Sequence, residues 1–577
     1  MHLLDEPHHD GSVLYLDDEE PVLGTHVGVR VRTGEQSPYD HIWVRTVEDA
    51  EPFFTPMTVE SHDGATVWWR GAVHLRNPVQ HYRFLLVRGE EQHWLNQSGV
   101  HGQDVPDADD FVVSTFPAAP AWARDAVVYQ VFPDRFARSA AADRRPTPDW
   151  AVPAAWDDPP IHVGPDTPHQ LYGGDLDGIT EHLDHIEALG ADTLYLTPVF
   201  PAESNHRYNA STFDEVDPLL GGNQAYRRLV DAVHERGLRI LGDLTSNHTG
   251  DTHEWFVRAS TDPDSAERAF YYFTPDGGHE GWKGHSTLPK LDHLDPELGR
   301  RLRQVVQRWL GFGLDGWRID VANMTGRHVD VDVAHDVARE IRGAAVAVDP
   351  EASIVGEHGH DASGDLDGDG WHGTMNYYGF SFPVWEFVRK PHGHVPSFGW
   401  PVGVPRRPAQ RAFGSMRAFT ARFGWRAVTQ SWNILGSHDT PRIRTVTGDA
   451  ALQHAAVALQ FTLPGVPMVY AGDEFGLEGV DGEDSRRTMP WDAERPSDLR
   501  DVYRRYADLR RTHTALRHGS LRWAVIEDDL VAYLREHPDG DVLVAVARGR
   551  TAEVALPDGL PAVPAFDGPG AVVLPLD

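Results

Sequence analysis

The sequence predicts an α/β protein built on a (β/α)8 TIM barrel. An N-terminal β-sandwich precedes the barrel, a domain is inserted in it, and a small C-terminal β-sandwich follows. Three observations carry this. Eight apolar runs lie between about 125 and 475, separated where the pattern is clear by helix-like segments. Helix, glycine and buried run succeed one another, the pattern of parallel strands covered on both faces. Both flanks alternate apolar and polar residues between turn-forming clusters instead.

Residues 1–120 contain HVGVRVRT, HIWVRTV, ATVWWRGAVHL and HYRFLLVRG, short runs rich in Val and aromatics. FPAAPAWARD, near 116–125, reads as a linker. The barrel region, 121–515, opens with DAVVYQVF (125–132). GITEHLDHIEALG follows with Ile179, Leu183, Ile186 and Leu189 on one helical stripe and Gly190 as a stop. ADTLYLTPVF, LRILGDLTSNH, GWRIDVA, SIVGEH, the TMNY neighbourhood, SWNILGSHD and VPMVYAGDE supply the remaining strands. Residues 249–295 are too long for a simple βα loop and are expected to form an inserted domain B. From 516 to 577, LRWAVIEDDLVAYLRE, a PDG turn and DVLVAVARG predict the last β domain. An open doubly wound sheet is the alternative, but no glycine-rich phosphate fingerprint follows the first strand.

Composition narrows the function. Lys and Arg total 52 against 87 Asp and Glu, a net charge of −35. Such a chain repels phosphates, so nucleic acid and anionic membrane are poor partners. There is no cysteine, which excludes disulfides, thiolate metal sites and a Cys nucleophile. No apolar run reaches the ~20 residues of a membrane helix. The N-terminus has no basic and apolar leader pattern, so the expected location is the cytoplasm.

The run GWRIDVANM places Arg318 and Asp320 two apart, hence on one face of a strand. At the C-terminal mouth of a barrel that face looks into the active site. A permanent cation there keeps a carboxylate ionised, as a nucleophile needs. A structural ion pair in the core is the other reading of this segment alone. Three further runs also end in polar groups: Asp243, Asn247 and His248; Glu357; His438 and Asp439. Parallel strands would bring all of them to one rim. Acids and histidines without metal-ligand spacing suit glycosidic cleavage, where one carboxylate attacks and one carboxylic acid protonates the leaving oxygen.

In this order DLTSNH, GWRIDVANM, GEH and SHD resemble the four signature regions of the α-amylase family of retaining glycosidases, over about 125–491. LPKLD (288–292) and GDEFGLEGVDGEDSRRTMPW (472–491) are similar to its neopullulanase, cyclomaltodextrinase and maltogenic amylase group. The resemblance implies Asp320 as nucleophile, Glu357 as acid/base and Asp439 as third acid. It implies Tyr208, His248, Arg318, His438 and Arg486 as substrate-binding, Tyr208 stacking under the cleaved sugar and Arg486 reaching a distal one. It implies a homodimer acting on oligosaccharides: α-1,4 links, with some α-1,6, in cyclodextrins, short maltooligosaccharides or related cyclic and branched sugars. Transglycosylase, sucrose or trehalose isomerase, and a non-catalytic sugar-binding subunit are the alternatives. Two positions depart from the group. Met324 stands where it carries Glu, and GEHGHD lacks the Trp after the acid/base, which puts leaving-group specificity in question. No cofactor is expected. His358 and His360 lack a third zinc ligand, and calcium would be held through Gly173 and Asp175 without the usual Asn/Asp-rich loop.

Overall fold

The computed structural model describes residues 6–35, 39–397, 399–491, 498–556 and 559–576. Eight parallel strands close into a barrel: β1 (Val128–Val131), β2 (Thr193–Leu196), β3 (Arg239–Thr245), β4 (Gly316–Asp320), β5 (Ser353–His358), β6 (Gly373–Asn376), β7 (Trp432–Ile434) and β8 (Val466–Tyr470). β8 pairs back onto β1 through Val128 and Met468. The strands are buried along nearly their whole length, and helices such as Gly222–Glu235, Pro296–Phe312 and Ala450–Thr462 cover them.

Local chemistry sets the element ends. Pro296 opens its helix behind Asp295, whose carboxylate caps the amides of Glu297 and Leu298. Gly313, at φ 121°, ends that helix and turns the chain into β4. The single helix read over 179–190 is two, Leu176–Glu181 and Leu183–Ala188. His182 breaks it at φ −115°, its ring nitrogen bonded to the Gly178 carbonyl. Between β3 and the helix at 296, residues 249–295 form helix Glu254–Thr261 and a loop tied by bridges such as His248–Lys290 and Tyr271–Leu291.

The N-terminal module packs a three-stranded sheet on a larger one of six main strands, around Val29, Val44, Trp69, Phe84 and Leu86. Trp69 lies in that core, Trp68 stacks with Tyr15 and Arg32, Trp43 lies against His41, and Trp94 lies under Arg83. The C-terminal strands, Ser520–Glu527, Leu530–Glu536, Asp541–Ala547 and Gly570–Leu576, form one antiparallel sheet. Val531, Tyr533 and Val544 face the barrel core, while Ala532 and Ala545 meet a second layer made by the segment through Val554 and Val563.

Buried polar contacts seal the modules together. Arg32 of the N-terminal module makes two bonds, 2.8 and 2.7 Å, to Glu536 of the C-terminal sheet, and Asp10 accepts from Ser520 and the Leu521 amide. Arg522 also lies 3.5 Å from Glu536. Removing one partner of a buried pair leaves an uncompensated charge. Glu536→Ala is therefore expected to destabilise the protein by about 3–5 kcal/mol, read in chemical denaturation, whereas Glu527→Ala at the exposed end of the same sheet costs little.

Candidate active site

Sheet register assembles the site. β3 and β4 pair Asp243 with Arg318, and β4 and β5 pair Ile319 with Gly356. One residue further, Asp320 stands opposite Glu357, with a backbone separation of about 4.8 Å. Trp317 and Ile319 face outward into the helix layer, and Arg318 and Asp320 face inward, because side chains alternate along a strand.

Arg318 is fully buried and holds the acids. Its Nη1 donates to Asp243 Oδ1 at 2.9 Å and to Asp320 Oδ1 at 2.8 Å. Its Nη2 lies 2.7 Å from Glu357 Oε1 without the alignment of a hydrogen bond. Burial pushes both Asp320 and Glu357 above the usual carboxylate range, and Arg318 pulls both down. The acids around them add repulsion. Three carboxylates around one guanidinium cannot all ionise cheaply, so the cluster retains a proton. Directed hydrogen bonds reach both acids: Asp320 accepts from Arg318, and Glu357 accepts from the Val321 amide.

Val321, directly after Asp320, has φ +44°, a conformation costly for a β-branched residue. That turn aims its amide at Glu357 Oε2, 2.9 Å away. Local strain thus ties the end of β4 to the acid on β5.

The histidines are neutral donors. Burial lowers both His248 and His438 to about 3. Asn247 Nδ2 lies 3.1 Å from His248 Nδ1, which assigns the ring proton to Nε2. That Nε2–H has no hydrogen-bond partner and lies 3.9 Å from Asp320 Oδ2, in position to donate to a sugar hydroxyl. Gln130 Nε2 lies 2.9 Å from His438 Nδ1, so His438 likewise donates from Nε2, toward Tyr208 Oη at 2.8 Å and Asp439 Oδ2 at 3.1 Å. Tyr208 in turn donates to Asp243 at 2.9 Å, and its ring stacks on His438 with centroids 5.4 Å apart. Burial pushes Asp439 up, but His438, Arg486 and Arg318 hold it below its usual range.

Asp320, Glu357, Asp439, Tyr208, His248, Arg318 and His438 therefore form one connected site. Arg486 belongs to it in a different way from the distal contact expected. Its Nη2 donates to Asp439 Oδ1 at 3.0 Å and its Nε to the His438 carbonyl at 2.9 Å, so it holds the third acid. Four contributors were not singled out from sequence as site residues. Tyr195 donates to Asp243 at 2.6 Å, Gln130 orients His438, the Val321 amide binds Glu357, and Lys290 donates to Asn247 at 2.6 Å. Gln130 had a signal, a lone amide in a buried apolar run.

Asp175 and Gly173, considered for calcium, already have partners within the chain. Both oxygens of Asp175 are engaged, by Ser139, the Gly178 amide and, at 2.6 Å, the guanidinium of Arg145. Gly173 donates its amide to Asp134. A cation from the chain itself already neutralises this carboxylate. His358 is bonded to Asp365 and Thr374. Among the described residues, no group of three or more His, Asp or Glu side chains is placed to hold a metal.

The catalytic-domain model of the α-amylase family matches residues 130–515. The chain belongs to the α-amylase family. It is 31% identical to a cyclomaltodextrinase of a Bacillus species, over 91% of this chain and 92% of that one. It is 29% identical to the intracellular maltogenic amylase of Bacillus subtilis, over 88% and 85%. Among solved structures, the cyclic α-maltosyl-(1→6)-maltose hydrolase of Arthrobacter globiformis superposes with TM-score 0.70 at 32% identity, over 80% of this chain and 100% of that one. The protein is a glycoside hydrolase, and no helix among its described residues is long and apolar enough to cross a membrane.

The roles that the family resemblance implies predict a pH dependence. With Asp320 attacking as a carboxylate and Glu357 donating a proton, the rate falls in acid as Asp320 gains its proton. It falls again in alkali, through the raised pKa of Glu357, as the acid is lost. Glu357→Gln should remove the alkaline limb on maltotriose and lower its turnover by about 10²–10⁴. Retention of that limb in the variant would assign the acid elsewhere.

Proposed function

We propose that this enzyme hydrolyses α-1,4 and α-1,6 glucosidic links in cyclic and short gluco-oligosaccharides by double displacement. Asp320 attacks the anomeric carbon while Glu357 gives its proton to the leaving oxygen. Glu357 then takes a proton from the water that releases the sugar from Asp320. The observation that carries this is the convergence of Asp320 and Glu357 on Arg318 from opposite positions of adjacent strands. Adjacent strands ~4.8 Å apart can deliver the ~5–5.5 Å carboxyl separation that a retaining glycosidase needs. His248, His438 and Asp439 supply donors and an acceptor for the hydroxyls of the cleaved sugar, and Asp439 and Asp243 add negative charge beside the oxocarbenium-like transition state.

The leaving-group side favours bent substrates. No Trp, Tyr or Phe occurs from 358 to 370, so the segment directly after the acid offers no flat platform of its own. The similarity to a hydrolase of cyclic maltosyl-maltose agrees with this, and mixed α-1,4/α-1,6 rings belong with cyclodextrins and maltooligosaccharides in the proposed substrate class. Product analysis with maltotriose, panose, a cyclodextrin and the cyclic tetrasaccharide tests it. Glucose and maltose are expected, and longer or rearranged sugars would mean a transferase or isomerase instead. Asp320→Asn should lower turnover on the order of 10⁴-fold; intact turnover would sink the mechanism.

The same reading includes a cytoplasmic homodimer. The relative named intracellular supports the location. Strands Glu51–Pro56 and Thr58–His62 of the N-terminal module are exposed throughout and carry Phe53, Phe54 and Val59 into solvent, an apolar edge suited to a second copy. Sedimentation should show twice the chain mass, and Phe53→Ser with Phe54→Ser should halve it.

A further inference from the structure

The side chain that follows the acid in β5 is His358, buried to 1% exposure. Its Nε2 lies 3.1 Å from Asp365 Oδ2 and its Nδ1 3.2 Å from Thr374 Oγ1 on β6. Asp365 also accepts two bonds from Arg327, at 2.6 and 2.9 Å. Arg327 Nη1 donates again, to the Asn323 carbonyl at 2.9 Å. One carboxylate on the loop after β5 thus grips the end of β5 and the loop after β4.

That second loop is held from its other side by the inserted domain. Lys290 Nζ donates to the Met324 carbonyl at 3.1 Å, His328 Nε2 lies 2.7 Å from Glu280 Oε2, and the His328 ring stacks on Tyr272 at 3.8 Å. Its first residue is Val321, whose strained turn presents the amide to Glu357. The segments around the leaving group are therefore cross-braced through Asp365. The carboxylate can serve all of these donors because its side chain is only 10% exposed and its partners keep it ionised: burial pushes it up, yet His358 and Arg327 hold it well below the usual carboxylate range.

We propose that His358, Asp365 and Arg327 form a polar clamp that positions the leaving-group side of the site. In place of an aromatic platform, the clamp fixes the two loops between which the departing sugar passes, and it sets which glucosidic link is presented to Glu357. These are positioning residues: they act through Glu357 and through the loop at 321–332. Holding reacting groups in register is worth a large share of the rate, and misplacement by about 1 Å costs about 100-fold. The inference rests on Glu357 as the acid and Asp320 as the nucleophile.

The test compares two leaving groups. A 4-nitrophenyl α-glucoside departs with little protonation and without a sugar on the leaving side, whereas maltotriose and panose need both. Asp365→Ala should lower kcat/KM on the two sugars by about 100-fold, mainly in kcat, and spare the aryl substrate to within about threefold. It should also change the ratio of α-1,6 to α-1,4 cleavage of panose. Arg327→Lys keeps the charge, loses the paired geometry, and should show the same split in smaller degree, so the idea stays testable should Asp365→Ala fail to fold. Equal losses on all substrates would make the network purely structural and overturn the inference, as would an unchanged panose ratio in both variants. Either result leaves Asp320→Asn free to test the underlying mechanism on the aryl substrate.

Discussion

One buried guanidinium organises the active site. Arg318 has no contact with water, and its charge is offset by three acids contributed by β3, β4 and β5. A cation in that position is intolerable alone and so are the carboxylates, since burying an isolated charge is far more costly than burying a compensated set. Each group is stable only with the others present, which locks three strands to one register. The excess of negative charge that remains is useful: it leaves a proton on the cluster and a field favourable to a positive transition state.

A second layer turns this cluster into a directional site. Gln130 and Asn247 fix which nitrogen of each histidine carries hydrogen, so both His438 and His248 point donors inward. Arg486 donates to Asp439, to the His438 carbonyl and to Glu483. The strained Val321 stores local energy that the surrounding bonds over-determine, as backbone outliers at functional sites commonly do. The sugar-facing groups are thus oriented before any substrate arrives.

The barrel supplies the groups at its strand ends, while the loops after β4 and β5 and the insertion after β3 form one wall beside them. Here that wall is tied by charge-assisted hydrogen bonds among His358, Asp365, Arg327 and Lys290. Such bonds are directional, so they define shape at short range even where no ring stacks.

The barrel, the two flanking β modules and the acids Asp320, Glu357 and Asp439 were legible in the sequence, because buried parallel strands read as apolar runs and a charge at the end of such a run has few structural uses. Periodicity failed locally, as at His182, where a side chain to carbonyl bond interrupts a helix whose apolar stripe is unbroken. It also could not show that Asp175 faces Arg145, that Arg486 spends itself on Asp439, or that Lys290 and Gln130 reach the site. Those facts depend on distances between residues tens to hundreds of positions apart. The sequence by itself determined which chemical groups lie at the barrel mouth, since strand alternation is a local rule. Only the tertiary structure decided which group pairs with which, because pairing energies depend on angstrom-scale geometry that no local pattern encodes.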